Sequence, residues 1–248
     1  MSRAPLELPG VRPWVMAHRG ASDLAPENSV AAFALALEHG ADLIETDLWF
    51  LADGDLVCMH DRSLRRTAGV DVDVTSLTGA ALARHRLIDP AGGDHRIPRL
   101  EDLLAAVPAT TPVVLELKDP RFAEPARLER LLAILGTRAE SHRAAVIAFD
   151  ARLLAAVRAG APGLVTGHIS TRDPFGDPSC DLLGPWWPLL YANPWYVRRA
   201  HARGQRVCPL DPHLHRHLPR WLAMGVDAVL TNDPRATRAE IERLRAGG

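Results

Sequence analysis

The sequence predicts an α/β fold, and within that class a (β/α)8 or TIM barrel with a small insertion after the second strand. Three observations support this prediction. Short apolar runs alternate with helical periods along the chain, the 248 residues suit one barrel-sized domain, and polar blocks follow the apolar runs where strands would end. We therefore expect residues 1–248 to form a single barrel domain.

Each predicted strand is a short apolar run bounded by polar or turn residues. The second strand is followed by the turn at Asp53-Gly54 and a further run at 56–60, which predicts a hairpin-like extension of the second βα connection. The eight predicted barrel strands are residues 15–18, 43–47, 113–118, 144–149, 164–169, 189–192, 206–210 and 228–231.

The predicted helices show apolar residues every three or four positions and recognisable ends. Asn28 can cap the first helix, leucines from Leu128 to Leu135 form one face of the third, and Gly204 and Gly225 end two later helices. The predicted helices are residues 29–39, 100–106, 126–138, 152–159, 196–203, 215–224 and 236–244.

Residues 62–98 interrupt this alternation. They are polar, contain several glycines and lack a long apolar period, so we predict an insertion subdomain packed over the barrel mouth. Pro and Gly are frequent in residues 170–188, and no pattern of a fifth helix is recognisable there.

Composition excludes several classes of protein. The net charge is −1, with 47% apolar and 24% charged residues, which predicts a soluble protein with no general affinity for nucleic acid or an anionic membrane. The N-terminus lacks an apolar signal segment and no apolar run could span a bilayer, so we expect a cytoplasmic protein without stable membrane insertion. The widely spaced Cys58, Cys180 and Cys208 predict neither a disulfide framework nor a metal motif.

Charged and titratable side chains cluster at the ends of the first three strands. Residues i and i+2 of a strand point to one face, so Glu45 and Asp47 share a direction, as do Glu116 and Lys118. Buried charges this dense must be paired or bound to a metal. The side chains predicted to form this site are His18, Arg19, Glu45, Asp47, His60, Glu116 and Lys118.

These residue types suit metal-assisted phosphoryl transfer. Glu45, Asp47 and Glu116 supply hard oxygen ligands for one divalent cation, Mg²⁺, Ca²⁺ or Mn²⁺. A divalent cation and Lys118 would balance the three carboxylates, leaving Arg19 to bind an anionic phosphodiester. His18 and His60 could then act as the acid and base, because the pKa of histidine lies near neutrality. Lys118 is the only lysine beside 28 arginines, which supports a specific role for its ammonium group.

Several segments carry a family resemblance. They are Ala17-His18-Arg19-Gly20, Pro26-Glu27-Asn28, Glu45-Thr46-Asp47, Asp53-Gly54-Asp55, His60-Asp61, Glu116-Leu117-Lys118 and Thr231-Asn232-Asp233-Pro234. In this order and spacing, over nearly the whole chain, they resemble the glycerophosphodiester phosphodiesterase family. The resemblance implies a metal-dependent enzyme that hydrolyses glycerophosphodiesters to sn-glycerol 3-phosphate and an alcohol. It implies acid–base roles for His18 and His60 and metal binding by the three acids.

Alternative functions stay open at this point. The same residues could serve a lysophospholipase D-like enzyme, and a catalytically silent barrel that binds phosphorylated ligands is a third possibility. A zinc amidohydrolase is disfavoured because His18-Arg19 is not the His-x-His that such an enzyme needs on its first strand. The attacking group could be water or the substrate's own hydroxyl. The small-molecule substrate's alcohol and the oligomeric state are not specified by the sequence.

Other residues have structural interpretations. Asp61 is expected to orient His60 or cap a turn, Glu27 and Asn28 to shape a loop, and the histidines at 213, 215 and 217 to lie on a solvated surface. His168 is interpreted as an ordinary strand-end histidine. The aromatic residues between 186 and 196 either pack under a loop or form a wall for the substrate's alcohol. Residues 208–211, Cys-Pro-Leu-Asp, replace a Trp-Thr-Val-Asn-like segment typical of the family, so an aromatic wall residue is lost.

Overall fold

The computed structural model describes residues 8, 11–136 and 143–247. Its strands are short, as expected for apolar runs of four to eight residues. They are β1 Trp14–His18, β2 Leu43–Phe50, β3 Leu56–Cys58, β4 Arg86–Leu87, β5 His95–Arg96, β6 Val113–Leu117, β7 Ala144–Ala148, β8 Val165–Ser170, β9 Leu182–Pro185, β10 Arg206–Val207 and β11 Ala228–Thr231.

Eight of these strands form a nearly closed parallel barrel. Their order is β10-β9-β8-β7-β6-β2-β1-β11, and β3 pairs antiparallel with β2 outside this path. Between the outer strands, Asp227 N–H donates to the Val207 carbonyl at 2.9 Å, and the Asp227 carboxylate accepts from Val207 N–H at 2.8 Å. The predicted eight-stranded barrel is therefore confirmed, as is the hairpin after the second strand.

Helices cover the outside of the barrel, and two short helices lie in the insertion. They are α1 Val30–Glu38, α2 Arg65–Ala68, α3 Gly79–Leu82, α4 Leu100–Ala106, α5 Pro125–Leu135, α6 Ala151–Gly160, α7 Trp187–Ala192, α8 Tyr196–Ala202, α9 Leu214–Met224 and α10 Pro234–Ala246. In α5, Leu128, Leu131 and Leu135 are buried against the barrel, the face that the leucine spacing predicted. Residues 137 and 138 of the predicted third helix lie outside the described residues.

Strand residues alternate between two environments. One set faces the helices, and the other fills the barrel interior with an apolar layer. The interior layer includes Trp14, Met16, Leu43, Val114, Ala145, Val165 and Ala228. On β1, β2 and β6 the next inward positions after this layer are polar, so the apolar interior supports the polar residues at the carboxyl ends of the strands.

The insertion has its own small hydrophobic cluster. Leu64, Val74, Leu82 and Leu87 of the insertion pack with Leu51 and neighbouring residues of the β2–β3 hairpin. The segment contains α2, α3 and the β4–β5 pair, and it is anchored beside β2. Its packing over the barrel mouth stays a prediction.

Two structural predictions were wrong. The sixth barrel strand is Leu182–Pro185, not residues 189–192, which belong to α7. Pro188 lies in the first turn of α7, where a missing N–H is tolerated. The cap of α1 is Ser29, whose hydroxyl oxygen accepts from Ala32 N–H at 3.0 Å, and not Asn28. Within the described residues, the helices are too short or too polar to cross a bilayer.

Candidate active site

Three carboxylates converge at the carboxyl ends of β2 and β6. The parallel register places Asp47 beside Glu116, and Glu45 lies two residues before Asp47 on the same inward face of β2. Oxygen atoms of Glu45, Asp47 and Glu116 all lie within 4.8 Å of one another. The three residues are only 1%, 0% and 9% exposed, so they form a buried acidic cluster.

Two cations lie against this acidic cluster. Lys118 Nζ is 3.2 Å from Asp47 Oδ1 and 2.5 Å from Glu116 Oε1. Arg19 Nε is 3.0 Å from Asp47 Oδ2, and its Nη1 donates to Glu27 Oε1 at 3.2 Å. The Arg19 backbone N–H also lies 3.1 Å from Glu45 Oε2. The structure therefore places both predicted phosphate-binding cations beside the carboxylates.

The environment separates the pKa values of the three acids. Burial, together with repulsion from Asp47 and Glu116, raises the pKa of Glu45 well above its ordinary value. Burial also raises the pKa of Glu116. Burial opposes ionisation of Asp47 as well, but the charges of Lys118 and Arg19 outweigh it and lower the pKa of that carboxyl.

His18 ends β1 beside the acidic cluster. Its Nδ1 is 2.8 Å from Asn232 Oδ1, at the end of β11. An amide oxygen only accepts, so Nδ1 carries the proton and Nε2 of the neutral ring is an acceptor. Burial, followed by the positive charge of Arg19, lowers the pKa of His18, which favours this neutral ring.

His60 follows β3 and is held by its neighbour Asp61. Its Nδ1 is 2.6 Å from Asp61 Oδ1. The other oxygen of Asp61 accepts from Arg66 Nε at 2.6 Å, and Arg66 donates twice to Glu27 at 2.6 and 2.7 Å. Because Glu27 also contacts Arg19, a continuous chain of ion pairs links the surroundings of His60 with the acidic cluster. The predicted orienting role of Asp61 agrees with this geometry.

The loop after β1 has an unusual backbone that suits the site. Arg19 and Asn28 have φ angles of 60° and 56°, and Gly20 has a φ of 81°. Asn28 is buried, and it donates to Asp47 Oδ2 at 3.3 Å while accepting from Thr46 Oγ1 at 2.7 Å. These bonds to strand β2 offset the strain of a left-handed non-glycine residue.

A cavity of about 430 Å³ opens beside His18. Trp186, Leu210, Leu214 and Asn232 line it together with His18. Phe149 and Trp186 follow β7 and β9, and they remain 47% and 40% exposed. Part of the aromatic group therefore adjoins the site, whereas Tyr196 is 3% exposed and belongs to the packed core.

The interpretation of all three C-terminal histidines as solvated was wrong for His217. This residue is buried, with Nδ1 2.9 Å from Asp211 Oδ2, and its ring packs 4.7 Å from that of Trp187. Trp221 Nε1 donates to the same Asp211 oxygen at 2.7 Å. The carboxylate that ends the altered 208–211 segment thus anchors the start of α9.

The acidic cluster fits a divalent metal ion. Its ligands are hard oxygen atoms, and the buried Asp47 Oδ1 is in an ion pair with Lys118 Nζ at 3.2 Å but receives no well-aligned hydrogen bond in the described structure. A cation would also relieve the repulsion that raises the pKa of Glu45. Glu45, Asp47 and Glu116 are therefore the residues that could hold the predicted metal.

Sequence reasoning missed Asn232 and Arg66 as parts of this site. Asn232 follows a strand, so the rule that selected the other polar residues could have selected it as well. Arg66 does not end a strand, and its partner Glu27 lies 39 residues away in sequence, so that rule could not have selected it, although Arg66 is among the residues that resemble the family.

The structure is thus a parallel barrel with buried carboxylates and a histidine at the carboxyl ends of its strands, the end at which barrel enzymes have their active sites. A sequence profile of the glycerophosphoryl diester phosphodiesterase family matches residues 18–236. The chain belongs to this family. The predicted family and enzyme class, a phosphoric diester hydrolase, are thereby confirmed.

Individual proteins show the same relationship. The chain is 32% identical to "Probable glycerophosphodiester phosphodiesterase 1" of Mycobacterium tuberculosis, covering 95% of each chain. It is 29% identical to the glycerophosphodiester phosphodiesterase of Caldanaerobacter subterraneus, over 94% of this chain and 98% of that one. Its fold matches a phosphodiesterase of Oleispira antarctica solved with its product sn-glycerol-3-phosphate, with a TM-score of 0.80, 22% identity and coverage of 95% and 97%.

Proposed function

We propose that the protein hydrolyses glycerophosphodiesters to sn-glycerol 3-phosphate and an alcohol, using His18 and His60 as the acid–base pair. The observation that carries the proposal is the position of the two imidazoles. His18 lies opposite Glu45 in the β1–β2 register, and His60 follows Met59, whose N–H donates to the Asp47 carbonyl at 2.9 Å. Relatives that carry this activity in their names match almost the whole chain.

The hydrogen bonds at Nδ1 support different roles for the two histidines. His18 is neutral, with Nε2 free to accept, so we assign it as the base that takes a proton from the attacking water or glycerol hydroxyl. The Asp61 carboxylate compensates a positive charge on the His60 ring. We therefore assign His60 Nε2 as the acid that protonates the alcohol oxygen as its bond to phosphorus breaks.

The remaining charged residues bind and orient the phosphodiester. Arg19 and Lys118 lie beside the carboxylates, where their positive charges favour an anionic substrate. Glu45, Asp47 and Glu116 would hold one Mg²⁺, Ca²⁺ or Mn²⁺ ion. When bound, that ion supplies positive charge for the non-bridging phosphate oxygens.

The cavity beside His18 gives space for the alcohol portion. Its lining combines Trp186 with apolar residues such as Leu210. The exposed rings of Phe149 and Trp186 are the observation that keeps lysophospholipids as a second substrate class. The predicted cytoplasmic location and the predicted absence of nucleic-acid binding stay predictions.

The first experiment is an activity panel. Glycerophosphocholine, glycerophosphoethanolamine, glycerophosphoglycerol and a lysophospholipid would be assayed with EDTA and with each added metal ion. We expect turnover of the glycerophosphodiesters that EDTA abolishes. Turnover that EDTA leaves unchanged would contradict the metal assignment, and folded protein without turnover of any substrate would favour the binding-protein alternative.

The second experiment separates acid from base. We expect His18→Ala and His60→Ala each to lower kcat by about 10²–10⁴-fold on glycerophosphocholine, with His85→Ala in the insertion as a matched control. On a glycerophosphodiester with a nitrophenol leaving group, which needs no protonation, His60→Ala should recover most of its activity and His18→Ala should not. Recovery by His18→Ala alone would reverse the assignment.

A further inference from the structure

The charge of the chain is distributed unevenly. Although the net charge is −1, residues 182–224 contain six arginines and one acidic residue, Asp211. The same segment contains four of the six tryptophans and both tyrosines. Asp211 is buried and bonded to His217 and Trp221, so its charge is not presented to a partner.

Several of these aromatic residues are exposed together with arginines. Phe175, from the preceding loop, is 55% exposed, Trp186 40%, Tyr191 42% and Trp195 59%. Phe175, Trp195, Arg198 and Arg199 line one open depression on the outer wall. We call the following residues the aromatic–arginine surface: Phe175, Trp186, Tyr191, Trp195, Arg198 and Arg199.

Guanidinium groups cover the ring faces on this surface. Arg198 lies 4.8 Å from the Trp195 ring centre, and Arg199 lies 5.1 Å from that of Phe175. On α9, Arg220 lies 4.1 Å from the ring centre of Tyr191. Such stacking holds each arginine side chain while leaving guanidinium N–H groups at the ring edges available for anions.

Two acidic side chains of the preceding loop lie near this surface. Asp173 Oδ1 accepts from Phe175 N–H at 2.9 Å, and Asp177 Oδ1 accepts from Ser179 N–H at 2.8 Å. Both carboxylates belong to the 171–181 loop and bond its own backbone. These bonds leave both negative charges in place, but Arg198, Arg199, Arg203 and Arg220 outnumber them, so the aromatic–arginine surface carries a local positive charge that the whole-chain value conceals.

We propose that the aromatic–arginine surface docks the enzyme on an anionic lipid bilayer. Tryptophan and tyrosine favour the headgroup region of a bilayer, and arginines bind lipid phosphates there while their stems cover apolar surface. Single-stranded nucleic acid fits less well, because bases stack on open aromatic faces and these faces are occupied by arginines. The contact is peripheral, since the described helices do not cross a bilayer.

Trp186 joins this surface to the active site. It lines the cavity beside His18, and its ring centre is 6.4 Å from that of Trp187, which in turn contacts Tyr191. The aromatic–arginine surface is thus connected through Trp187 to the cavity beside His18. The docking surface itself does not depend on the proposed function, because none of its arginines belongs to the catalytic cluster.

Vesicle flotation tests this proposal with the full chain. We expect binding to vesicles of equal parts phosphatidylcholine and phosphatidylglycerol, and little binding to phosphatidylcholine alone. Each arginine at such a surface contributes about fivefold to partitioning, so Arg198→Glu with Arg199→Glu should lower it at least about 30-fold. The matched control is Arg84→Glu with Arg152→Glu, two exposed arginines elsewhere, which should retain binding.

An apolar variant and two further readouts complete the test. Trp195→Ser should weaken binding, whereas Ile88→Ser, with a 54% exposed side chain in the insertion, should not. All variants should keep the wild-type circular dichroism spectrum and activity on glycerophosphocholine. Equal binding to both vesicle types, unchanged binding by the Arg198/Arg199 variant, or binding of an oligonucleotide in place of vesicles would overturn the proposal.

Discussion

The substitution Glu45→Gln should have opposite effects on stability with and without metal. Glutamine keeps the shape of the side chain and an oxygen that can accept from the Arg19 backbone N–H. It removes one of three negative charges whose oxygens lie within 4.8 Å of one another. The metal-free protein should therefore become more stable, although most substitutions of buried residues destabilise a protein.

The size of this effect follows from the geometry. Two carboxylates 4.8 Å apart repel by about 3.5 kcal/mol at an effective dielectric constant of about 20. Lys118 and Arg19 already offset part of this repulsion, so we expect the free energy of unfolding to rise by about 1–3 kcal/mol. For a chain of this length each kcal/mol shifts Tm by roughly 2–4 °C.

Bound metal should make the wild type more stable than the Glu45→Gln variant. A cation at 100 times its Kd stabilises the wild type by about 2.7 kcal/mol, and the variant has lost one of three ligands. Thermal and urea unfolding would be followed in EDTA and in saturating Mg²⁺ or Ca²⁺, with Glu38→Gln on the exposed side of α1 as the control. If Glu45→Gln were less stable than the wild type in EDTA as well, mutual repulsion in the acidic cluster would be refuted.

Three further predictions concern the surroundings of the site. Arg66→Ala should lower kcat/KM about 10–100-fold, because it frees the Asp61 carboxylate that contacts His60. The free energy of unfolding should change by under about 1 kcal/mol, because Arg66 is half exposed. Asp119→Asn should destabilise by about 1.5–3 kcal/mol near neutral pH. Burial opposes ionisation of Asp119, but its bonds to Arg121 lower the pKa of this carboxyl in the folded state. The extra stability of the wild type is therefore fully present above the unfolded-state pKa, near 4, and is lost as the pH falls through the folded-state pKa. Urea unfolding at a series of pH values measures this loss. Gly20→Ala should lower Tm far more than Gly204→Ala, since both have φ near 80° but an added Cβ meets Ala32 at 2.6 Å only at position 20; equal losses would refute the steric argument.

The acidic cluster could be predicted because it depends on local rules. Alternation on β2 places Glu45 and Asp47 on one face, and the order of parallel strands places Glu116 beside them. Both rules need only short segments of sequence. The same holds for α5, whose leucine spacing predicted its buried face.

The two wrong structural predictions have different causes. Gly184 and Pro185 are unusual in a strand, so the sequence pattern of β9 is weak. The leucines at 189–190 resemble a strand, but they belong to a helix with Pro188 in its first turn. Asn28 takes a positive φ, which asparagine adopts more readily than most residues, and its bonds to Thr46 and Asp47 hold it there.

His217 is a different kind of error, because a signal was present. Leu214, Leu218 and Trp221 define the buried stripe of α9, and His217 occupies the same stripe three residues after the first of them. Its partner Asp211 lies only six residues earlier. Helical periodicity, applied to the histidine as strictly as to the leucines, would have placed it in the interior.

Lys118 makes the chain a single-site substrate for a lysine-specific protease. Lys118 is the single lysine of the chain, so endoproteinase Lys-C can cut the polypeptide at one bond and release fragments of 118 and 130 residues. That bond follows a lysine sequestered between two acids in the barrel, so cleavage requires the barrel to open. The rate at which two bands appear on a gel therefore reports how often the barrel opens at its acidic cluster.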